Sequence, residues 1–461
     1  MKKTIYRIET DTMGKVKVPK DSYYGAQTQR AVENFPISNL RFPESFIKAL
    51  GIIKYAAAKA NGELKLVDAK ISKAIEKAAR EVINGRFGSQ FVVDIFQTGS
   101  GTSTNMNANE IISNRAIEIL RGKIGDKTVH PNDHVNKCQS SNDVIPSAIH
   151  IAAVVECKKS LIPALKALAH AFNRKVKEFH SILKVGRTHL QDATPIRLGQ
   201  EFSGYSRQIE LAIERLKSVL PRVSELALGG SAVGTGINVS KGFAKRCIQI
   251  INKETGHNFK EAKNHFEAQG SRDSLVELSG VLKTIAVGLI KIANDIRWLG
   301  SGPRCGLGEL VLPHTQPGSS IMPGKVNPVI AESLIQACAQ IIGNDATITY
   351  SGQGGNFELN VMMPVMAYNL LQSIQILTNS TINFRKRLIE GLKANEGNCK
   401  NSIEKSLALV TSLVPEIGYE KAAILAKKAY REEKTIREVV LSEKILPDKK
   451  LAKLLDPEKM V

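Results

Sequence analysis

The sequence predicts a mainly α-helical protein built around a bundle of long helices. The first observation is an apolar seam in which Leu and Ile recur at alternating intervals of three and four residues. This spacing places the side chains on one face of a helix that is about 40 Å long at about 1.5 Å per residue. The seam consists of Leu275, Leu278, Leu282, Ile285, Leu289, Ile292, Ile296 and Leu299.

The second observation is that comparable apolar spacing recurs in four other long stretches with few helix breakers. They cover residues 145–178, 195–220, 328–350 and 358–392. The seam itself begins at Asp273 or Ser274 and ends before Gly300. A seam of this length needs neighbours along its whole length, so these stretches predict a helical bundle.

Shorter elements are predicted on both sides of the bundle. Apolar residues over 71–83 indicate a helix that ends before Gly85, and the first forty residues read as loop with short strands. After Asn395 the pattern shortens into small helices separated by Pro415, Gly418 and Pro447. This last region is typical of a small terminal domain.

The charge balance gives a first indication of what the protein binds. The chain has 461 residues with 64 Lys and Arg against 44 Asp and Glu, a net charge of +20. The basic residues are dispersed, and nine Tyr and one Trp provide no base-stacking pattern. We therefore expect a solvated surface that attracts dianionic substrates, with nucleic-acid binding as the alternative from charge alone.

The cysteines and the apolar content bear on the compartment. The six cysteines are widely spaced, without a C-x-x-C pair, which favours free thiols in a reducing compartment. The first residues include two lysines but no apolar core of a secretory signal, and no apolar run approaches the length of a membrane span. We expect a soluble cytoplasmic protein that has no membrane partner.

Residues 318–328 carry the most informative motif of the chain. They read Gly-Ser-Ser-Ile-Met-Pro-Gly-Lys-Val-Asn-Pro, which places two hydroxyls, one cation and one amide between turn-forming residues. A shaped loop with a nucleophile or base beside a cation is suited to cover an anionic substrate. The alternative is a polar surface loop without chemistry.

Two further motifs precede predicted helices and offer groups that bind anions. Thr98–Asn107 contains small residues and hydroxyls before a helix over about 104–121, and a helix N-terminus presents free N–H groups. The alternative is N-capping by Thr102 or Thr104. His130–Asp143 is rich in hydrogen-bonding side chains, but its histidine spacing fits no zinc motif, so we predict no metal site.

A fourth motif, Gly186–Pro195, supplies a candidate acid or base. His189 follows Thr188 and precedes a helix that we expect to open at Pro195. An imidazole titrates near neutral pH and is suited to proton transfer, although a lone histidine is more often structural.

Together, and in this order, the motifs resemble those of the class II fumarases, the iron-independent members of the fumarase/aspartase superfamily. The resemblance extends from Tyr24–Arg30 to Pro457–Val461. Positions that separate fumarases from aspartases fall on the fumarase side at Thr98–Thr102, Ser140–Asp143, Gly302–Glu309 and Gly355–Asn360. Thr104 and Ala108 instead match the aspartase pattern, so aspartate ammonia-lyase stays an alternative.

The resemblance implies a mostly α-helical subunit in three parts. These are an N-terminal domain over 1–139, a central helical bundle domain over 140–395 and a small C-terminal domain over 396–461. Four subunits would form a homotetramer with a twenty-helix core and active sites built from three chains. The implied reaction is the reversible hydration of fumarate to (S)-malate, a small dicarboxylate, with no metal and no organic cofactor.

The resemblance also implies the roles of individual residues. Ser319 would be the base, Lys325 and Asn327 would stabilise the intermediate, and His189, oriented by Glu332, would act on the water side. The substrate would be bound by Ser100, Gly101, Thr102, Ser140, Ser141, Asn142, Thr188, Ser320, Lys325 and Asn327. A secondary anion site would use His130, Asn132 and Asp133. The intact set argues against an inactive structural protein, the remaining alternative.

Overall fold

The computed structural model describes residues 5–461 and is mainly α-helical, as predicted. Residues 1–4, where the segment considered for a secretory signal begins, lie outside the described part. The helices are α1 (Ala26–Asn34), α2 (Glu44–Glu63), α3 (Ala69–Ile83), α4 (Thr102–Ile119), α5 (Ser141–Glu156), α6 (Ile162–Glu178), α7 (Leu198–Val223), α8 (Phe243–Thr255), α9 (His265–Gly270), α10 (Asp273–Leu299), α11 (Val329–Gly352), α12 (Met363–Phe384), α13 (Glu396–Lys405), α14 (Val414–Ile417), α15 (Tyr419–Arg431), α16 (Ile436–Ser442) and α17 (Asp448–Leu454).

The strands are short and form two-stranded ribbons. Four ribbons are antiparallel, and the β5–β6 pair is parallel. The pairs are β1 (Tyr6–Asp11) with β2 (Gly14–Pro19), β3 (Leu183–Thr188) with β4 (Gln191–Arg197), β5 (Glu225–Leu226) with β6 (Lys260–Glu261), β7 (Leu310–Val311) with β10 (Lys393–Ala394), and β8 (Gly355–Asn356) with β9 (Leu359–Asn360).

The chain divides into two compact units, each assembled from three stretches of sequence. The first unit takes in the chain up to Pro163 together with Glu214–Ala286 and Ala339–Thr378. The second unit consists of Ala164–Ile213, Val287–Cys338 and Asn379–Val461. The three-domain division at residues 139 and 395 stays a prediction.

The apolar seam forms one face of α10, a helix of 27 residues. Leu278, Leu282, Leu289 and Ile296 are fully buried, and every other member of the seam is at most 5% exposed. The three-and-four spacing therefore corresponds to a buried face of a helix, as predicted.

Several predicted helix boundaries were wrong. The helix expected near Pro146 begins at Ser141, because Ser140 and Asp143 form a capping box at its start. The helix expected to open at Pro195 begins at Leu198, because Pro195 lies in β4, where it needs no helical N–H partner.

Two of the long stretches are also less regular than predicted. A single π turn, Cys157–Leu161, separates α5 from α6, and another, Arg385–Ile389, follows α12. A single π turn inserts a residue into the helical repeat, which the apolar spacing does not reveal.

The short helices after residue 396 have an apolar core of their own. Buried side chains of α13, α15, α16 and α17 pack together, and Val185 of β3 joins them in the second unit. The small C-terminal domain over 396–461 stays a prediction, because Val185 of β3 belongs to the same core.

Two further sequence predictions concern free cysteine thiols and membrane-spanning segments. All six cysteines are free, and only Cys305 is exposed. Among the helices between residues 5 and 461, none is both long and apolar enough to cross a membrane.

Candidate active site

A row of three hydroxyl groups joins the starts of α4 and α5 in the first unit. Ser100 Oγ lies 2.7 Å from Thr102 Oγ1, which lies 2.7 Å from Ser141 Oγ. The structure therefore brings together three of the predicted substrate-binding residues from motifs that are about forty positions apart. Hydroxyls at two helix N-termini are well suited to bind a carboxylate.

Two glycines shape the chain where it enters α4. A side chain at Gly99 would meet Val361 O at 1.8 Å, so only glycine fits beside that backbone. Gly101 has φ of +73° and is the N-cap residue, without a side-chain cap. The alternative of capping by Thr102 or Thr104 was therefore wrong, and the Thr102 hydroxyl is available to the row.

Ser140 has a structural task inside the chain. Its Oγ accepts from Asn142 N at 3.2 Å, and its backbone N–H donates to Asp143 Oδ1 at 2.9 Å. The Asn142 amide donates to Ala232 O at 2.8 Å. Ser140 and Asn142 thus fix the loop that presents Ser141.

Asp143 organises a second loop near this row. Its buried carboxylate accepts from Gly229 N and from Ser231 N, each at 3.0 Å. Burial raises the pKa of Asp143 to about 6, and these backbone donors oppose the shift. The motif over 130–143 gives no indication of this role for Asp143, and the glycines over 229–236 are the sequence signal of its partner loop.

The loop over 318–328 lies in the second unit and is closed by its own hydrogen bonds. Gly318 N donates to Lys325 O at 2.9 Å, and Asn327 Nδ2 donates to Gly318 O at 2.5 Å. No helix or strand forms between residues 312 and 328, which confirms the predicted loop.

Within that loop, Ser319 accepts hydrogen bonds from two backbone groups. Ile321 N donates to Ser319 Oγ at 3.2 Å, and Met322 N donates to it at 2.9 Å. Backbone donors aimed at a hydroxyl oxygen stabilise the negative charge that forms when the hydroxyl loses its proton. Ser319 Oγ therefore has two backbone donors, and the exposed cation Lys325 lies on the same loop, while the role of Ser319 as a base stays a prediction.

His189 lies at the tip of the β3–β4 hairpin in the second unit. It forms the two-residue turn with Leu190, and φ is +59° at His189 and +60° at Leu190. Neither is a glycine, so the turn is strained and holds an exposed imidazole at a defined place. Thr188 precedes the turn and is exposed as well.

The second unit does not join all of its predicted catalytic residues. Among its described residues, no hydrogen bond connects His189 with Glu332 or with Ser319. Glu332 lies in the first turn of α11 and is partly exposed. The orientation of His189 by Glu332 stays a prediction.

The predicted secondary anion site lies at a single π turn, Pro131–Val135, which contains Asn132 and Asp133 and has His130 as its N-cap residue. His130 Nδ1 accepts from Asp133 N at 3.2 Å and lies 3.1 Å from Asp133 Oδ2. His130 and Asn132 line a cavity of about 440 Å³, together with the carboxylate of Glu110. Asp133 is largely exposed instead.

Comparison with known proteins gives the family of this chain. A family model described as lyase matches residues 14–343, and one described as fumarase C C-terminus matches residues 409–461. A fumarate hydratase class II from Halobacterium salinarum is 53% identical over 99% of this chain and 97% of that protein. The chain belongs to the class II fumarase family.

Other class II fumarases and their relatives agree over the full length. A mitochondrial fumarate hydratase from Dictyostelium discoideum is 52% identical, over 99% of this chain and 95% of its own. The crystal structure of a class II fumarase from Schistosoma mansoni superimposes with a TM-score of 0.95 at 41% identity and covers 99% of both chains. The resemblance read from the motifs is therefore confirmed.

This class II fumarase family member contains one buried charge cluster that sequence reasoning missed. Glu309, fully buried, lies 2.8 Å from Arg187 Nη2 and 3.2 Å from Lys184 Nζ in the second unit. Lys184 is 1% exposed. Lys184, Val185 and Gly186 are all buried, so burial does not alternate along β3 and only the structure reveals this cluster.

Proposed function

We propose that the chain catalyses the reversible hydration of fumarate to (S)-malate. The observation that carries the proposal is the pair of backbone donors on Ser319 Oγ, within a loop that also supplies Lys325 and Asn327. The names of the relatives, fumarate hydratases that match over nearly the whole chain, support the same reaction.

The chemistry requires a base, a stabilised intermediate and an acid. Ser319 would remove the proton from C3 of malate, and the electron pair would move into the adjacent carboxylate to give a dianionic intermediate. Lys325, Asn327 and backbone N–H groups of the loop would stabilise that charge. His189 would donate a proton to the departing hydroxyl, with Glu332 as its orienting partner.

The carboxylates of the substrate need fixed donors on both sides. The hydroxyl row of Ser100, Thr102 and Ser141 is suited to bind one of them, because its members already share hydrogen bonds at 2.7 Å. The remaining substrate contacts in this proposal come from Gly101, Ser140, Asn142, Thr188 and Ser320.

We further propose a homotetramer in which each site draws on three chains. His189, Ser320 and Lys325 are exposed in the single chain. A site that stabilises a dianionic intermediate has to exclude water, and neighbouring subunits would provide that cover. Symmetric homo-oligomers are the common way to bring such surfaces together.

The compartment proposed for this protein is the cytoplasm, with no metal and no organic cofactor in the reaction. The free cysteines support a reducing compartment. Between residues 5 and 461, no group of three His, Cys, Asp or Glu side chains is arranged to hold a metal ion.

Aspartate ammonia-lyase is the competing activity, because Thr104 and Ala108 match the aspartase pattern. Thr104 Oγ1 bonds with the side chain of Gln97 at 3.0 Å and 2.8 Å, and Ala108 is buried. Neither residue takes part in the hydroxyl row, so the aspartase-like positions do not weigh against fumarate hydration.

The test follows the absorbance of fumarate with malate and then with aspartate as the starting substrate. We expect formation of fumarate from malate and a specificity constant for aspartate lower by about 10⁴ or more, because groups placed for a hydroxyl are left unpaired by an ammonium. Similar specificity constants for both substrates would overturn the proposal.

A further inference from the structure

Lys54 carries an ammonium group in the interior of the first unit. The residue lies on α2 and is fully buried. Its Nζ donates to Asn136 Oδ1 and to Gln139 Oε1, each at 3.0 Å, and no carboxylate of residues 5–461 lies within 4.0 Å of it. Burying a charge without an opposite charge beside it costs folding free energy. A lysine at this position therefore needs an explanation other than stability.

Asn136 connects the ammonium group to α4. Its Oδ1 also accepts from Asn105 Nδ2 and from Asn109 Nδ2, both at 3.2 Å. Asn105 lies about one helical turn after Thr102, a member of the hydroxyl row. Lys54 therefore reaches one side of the row through two side-chain contacts.

Gln139 connects the same ammonium group to α5. Its Nε2 donates to Val135 O and Lys137 O at 3.1 Å, and its backbone O accepts from Asn136 Nδ2 at 3.0 Å. Gln139 is followed directly by Ser140 and then by Ser141, the other end of the hydroxyl row. The contact of Lys54 with Gln139 thus fixes the backbone that enters α5.

The network has more acceptors than donors. In the described chain, Asn105 Oδ1 and Asn109 Oδ1 are buried and have no hydrogen-bond partner. An apolar side chain in place of Lys54 would leave Gln139 Oε1 without its donor as well. The ammonium group of Lys54 therefore joins two amide side chains of a cluster in which other amide oxygens have no donor.

We propose that the ammonium group of Lys54 is a positioning group for substrate binding. By holding Asn136 and Gln139 it sets the distance between Thr102 and Ser141, the two helix starts that bind a substrate carboxylate. Lys54 does not belong to the hydroxyl row and acts only through these amides. The inference rests on the proposed function, since it assigns the row to the dicarboxylate substrate.

The protonation of Lys54 makes the effect depend on pH. Burial lowers the pKa of Lys54 to about 7, and the charge of Asp143 on α5 opposes the shift. Burial raises the pKa of Asp143 to about 6, with Lys54 opposing. Cys247 is a buried thiol whose pKa is raised by burial, so it stays neutral in this range. The Lys54 side chain is therefore mostly charged below about pH 7 and mostly neutral above it.

The first experiment compares Lys54→Met with two matched variants on α2. Lys48→Met makes the same chemical change on the exposed face, and Ile53→Ala removes a buried apolar side chain that makes no hydrogen bond to the amides. We expect Lys54→Met to raise KM for malate and fumarate by about tenfold and to change kcat by less than about threefold, because a carboxylate contact is made in both the ground and the transition state.

The controls separate positioning from stability. Lys48→Met should leave KM and the melting temperature unchanged, while Ile53→Ala should lower the melting temperature and leave KM unchanged. Formation of fumarate by the wild type is measured first, so a failure of the proposed function is seen before the variants are compared. An active wild type with the same KM in Lys54→Met would overturn the positioning role.

The pH dependence gives an independent readout. The ratio of KM in Lys54→Met to KM in the wild type should be largest near pH 6 and should fall by at least about threefold near pH 9, where the wild type has also lost the charge. A ratio that is the same at both pH values would show that the charge has no part in binding.

If Lys54→Met does not fold, Gln139→Glu provides a second test. It keeps the length of the side chain and places a carboxylate beside the ammonium group, which favours the protonated amine. It also removes the hydrogen bonds from Gln139 Nε2 to Val135 O and Lys137 O, so folding of the variant is measured first. In the wild type, KM should rise with pH as Lys54 loses its proton. In Gln139→Glu we expect this rise of KM to occur about one pH unit higher. An unchanged alkaline rise in a folded Gln139→Glu would overturn the proposal by itself.

Discussion

Arg187 Nη2 lies 2.8 Å from Oε1 of Glu309, a carboxylate that is fully buried. Lys184 Nζ lies 3.2 Å from the other oxygen of Glu309 and 3.4 Å from Glu201 Oε2. Arg187 lies on β3, two residues before His189 in the hairpin turn. The buried carboxylate therefore anchors the hairpin that presents the imidazole.

Replacing Glu309 by Gln should destabilise the protein strongly. The change removes the carboxylate that Arg187 and Lys184 share and leaves Lys184 with Glu201 as its remaining partner. Removing one partner of a buried ion pair costs about 3–5 kcal/mol. Urea denaturation of both proteins measures the difference. The matched control is Glu277→Gln, which breaks an exposed pair with Arg222 and should have no measurable effect. Equal stability of Glu309→Gln and the wild type would contradict the anchoring role.

His150 should make the folded state sensitive to acid. Its Nδ1 donates to Glu225 O at 2.8 Å, and burial together with the charge of Arg272 lowers its pKa to about 3. The unfolded histidine has a pKa of about 6.5. Below that value the unfolded chain binds a proton that the folded chain does not, so stability is lost as pH falls from about 6.5 toward 3.

The measurement for this prediction is a comparison of unfolding near pH 7 and near pH 5. The wild type should lose about 2 kcal/mol more than His150→Asn between these values, because the variant has no imidazole to protonate. His170→Asn, at an exposed position on α6, should behave as the wild type does. An equal acid response of wild type and His150→Asn would show that His150 is not held neutral.

Mixed tetramers test whether sites are shared between chains. Ser319→Ala removes the base and His189→Ala the acid, so each homotetramer should be nearly inactive. If the two residues of a site come from different chains, refolding an equal mixture should restore roughly a quarter of wild-type activity by random assembly. A site formed by one chain would recover nothing, because every chain lacks one group.

Removal of metal should not affect the reaction. In the part of the chain that the structure describes, His, Cys, Asp and Glu side chains form no cluster with the geometry of a metal site. Conversion of malate to fumarate should therefore be the same after dialysis against EDTA and in air. Activity that is abolished by EDTA and restored by iron or zinc would refute this expectation.

The sequence predicted the helices well because their signal is local. The spacing from Leu275 to Leu299 reports one buried face, and α10 covers it from Asp273 to Leu299. Helix boundaries were predicted less well. Pro195, which was predicted to begin a helix, lies in β4. A proline fixes φ in a range shared by the first turn of a helix and by a strand edge, so only the pairing of β3 with β4 decides between them.

The part of the candidate site that lies in short local motifs could be predicted from the sequence. Ser100, Thr102 and Ser141 stood in recognisable motifs, and the structure brings their hydroxyls into one row. The turn at His189 and Leu190, with positive φ at both residues, was not predicted. Positive φ is uncommon for residues other than glycine, so this conformation is imposed by the paired strands around the two-residue turn.

The sequence by itself determined the fold class, the family and the motifs that carry the chemistry, because periodicity and short motifs are written in neighbouring residues. Only the tertiary structure decided which buried polar groups meet. Lys54 and Asn136 are 82 positions apart, and Arg187 and Glu309 are 122 positions apart. A lysine or a glutamate is usually solvated, so its burial beside a distant partner depends on the packing of whole helices and strands and leaves no local pattern.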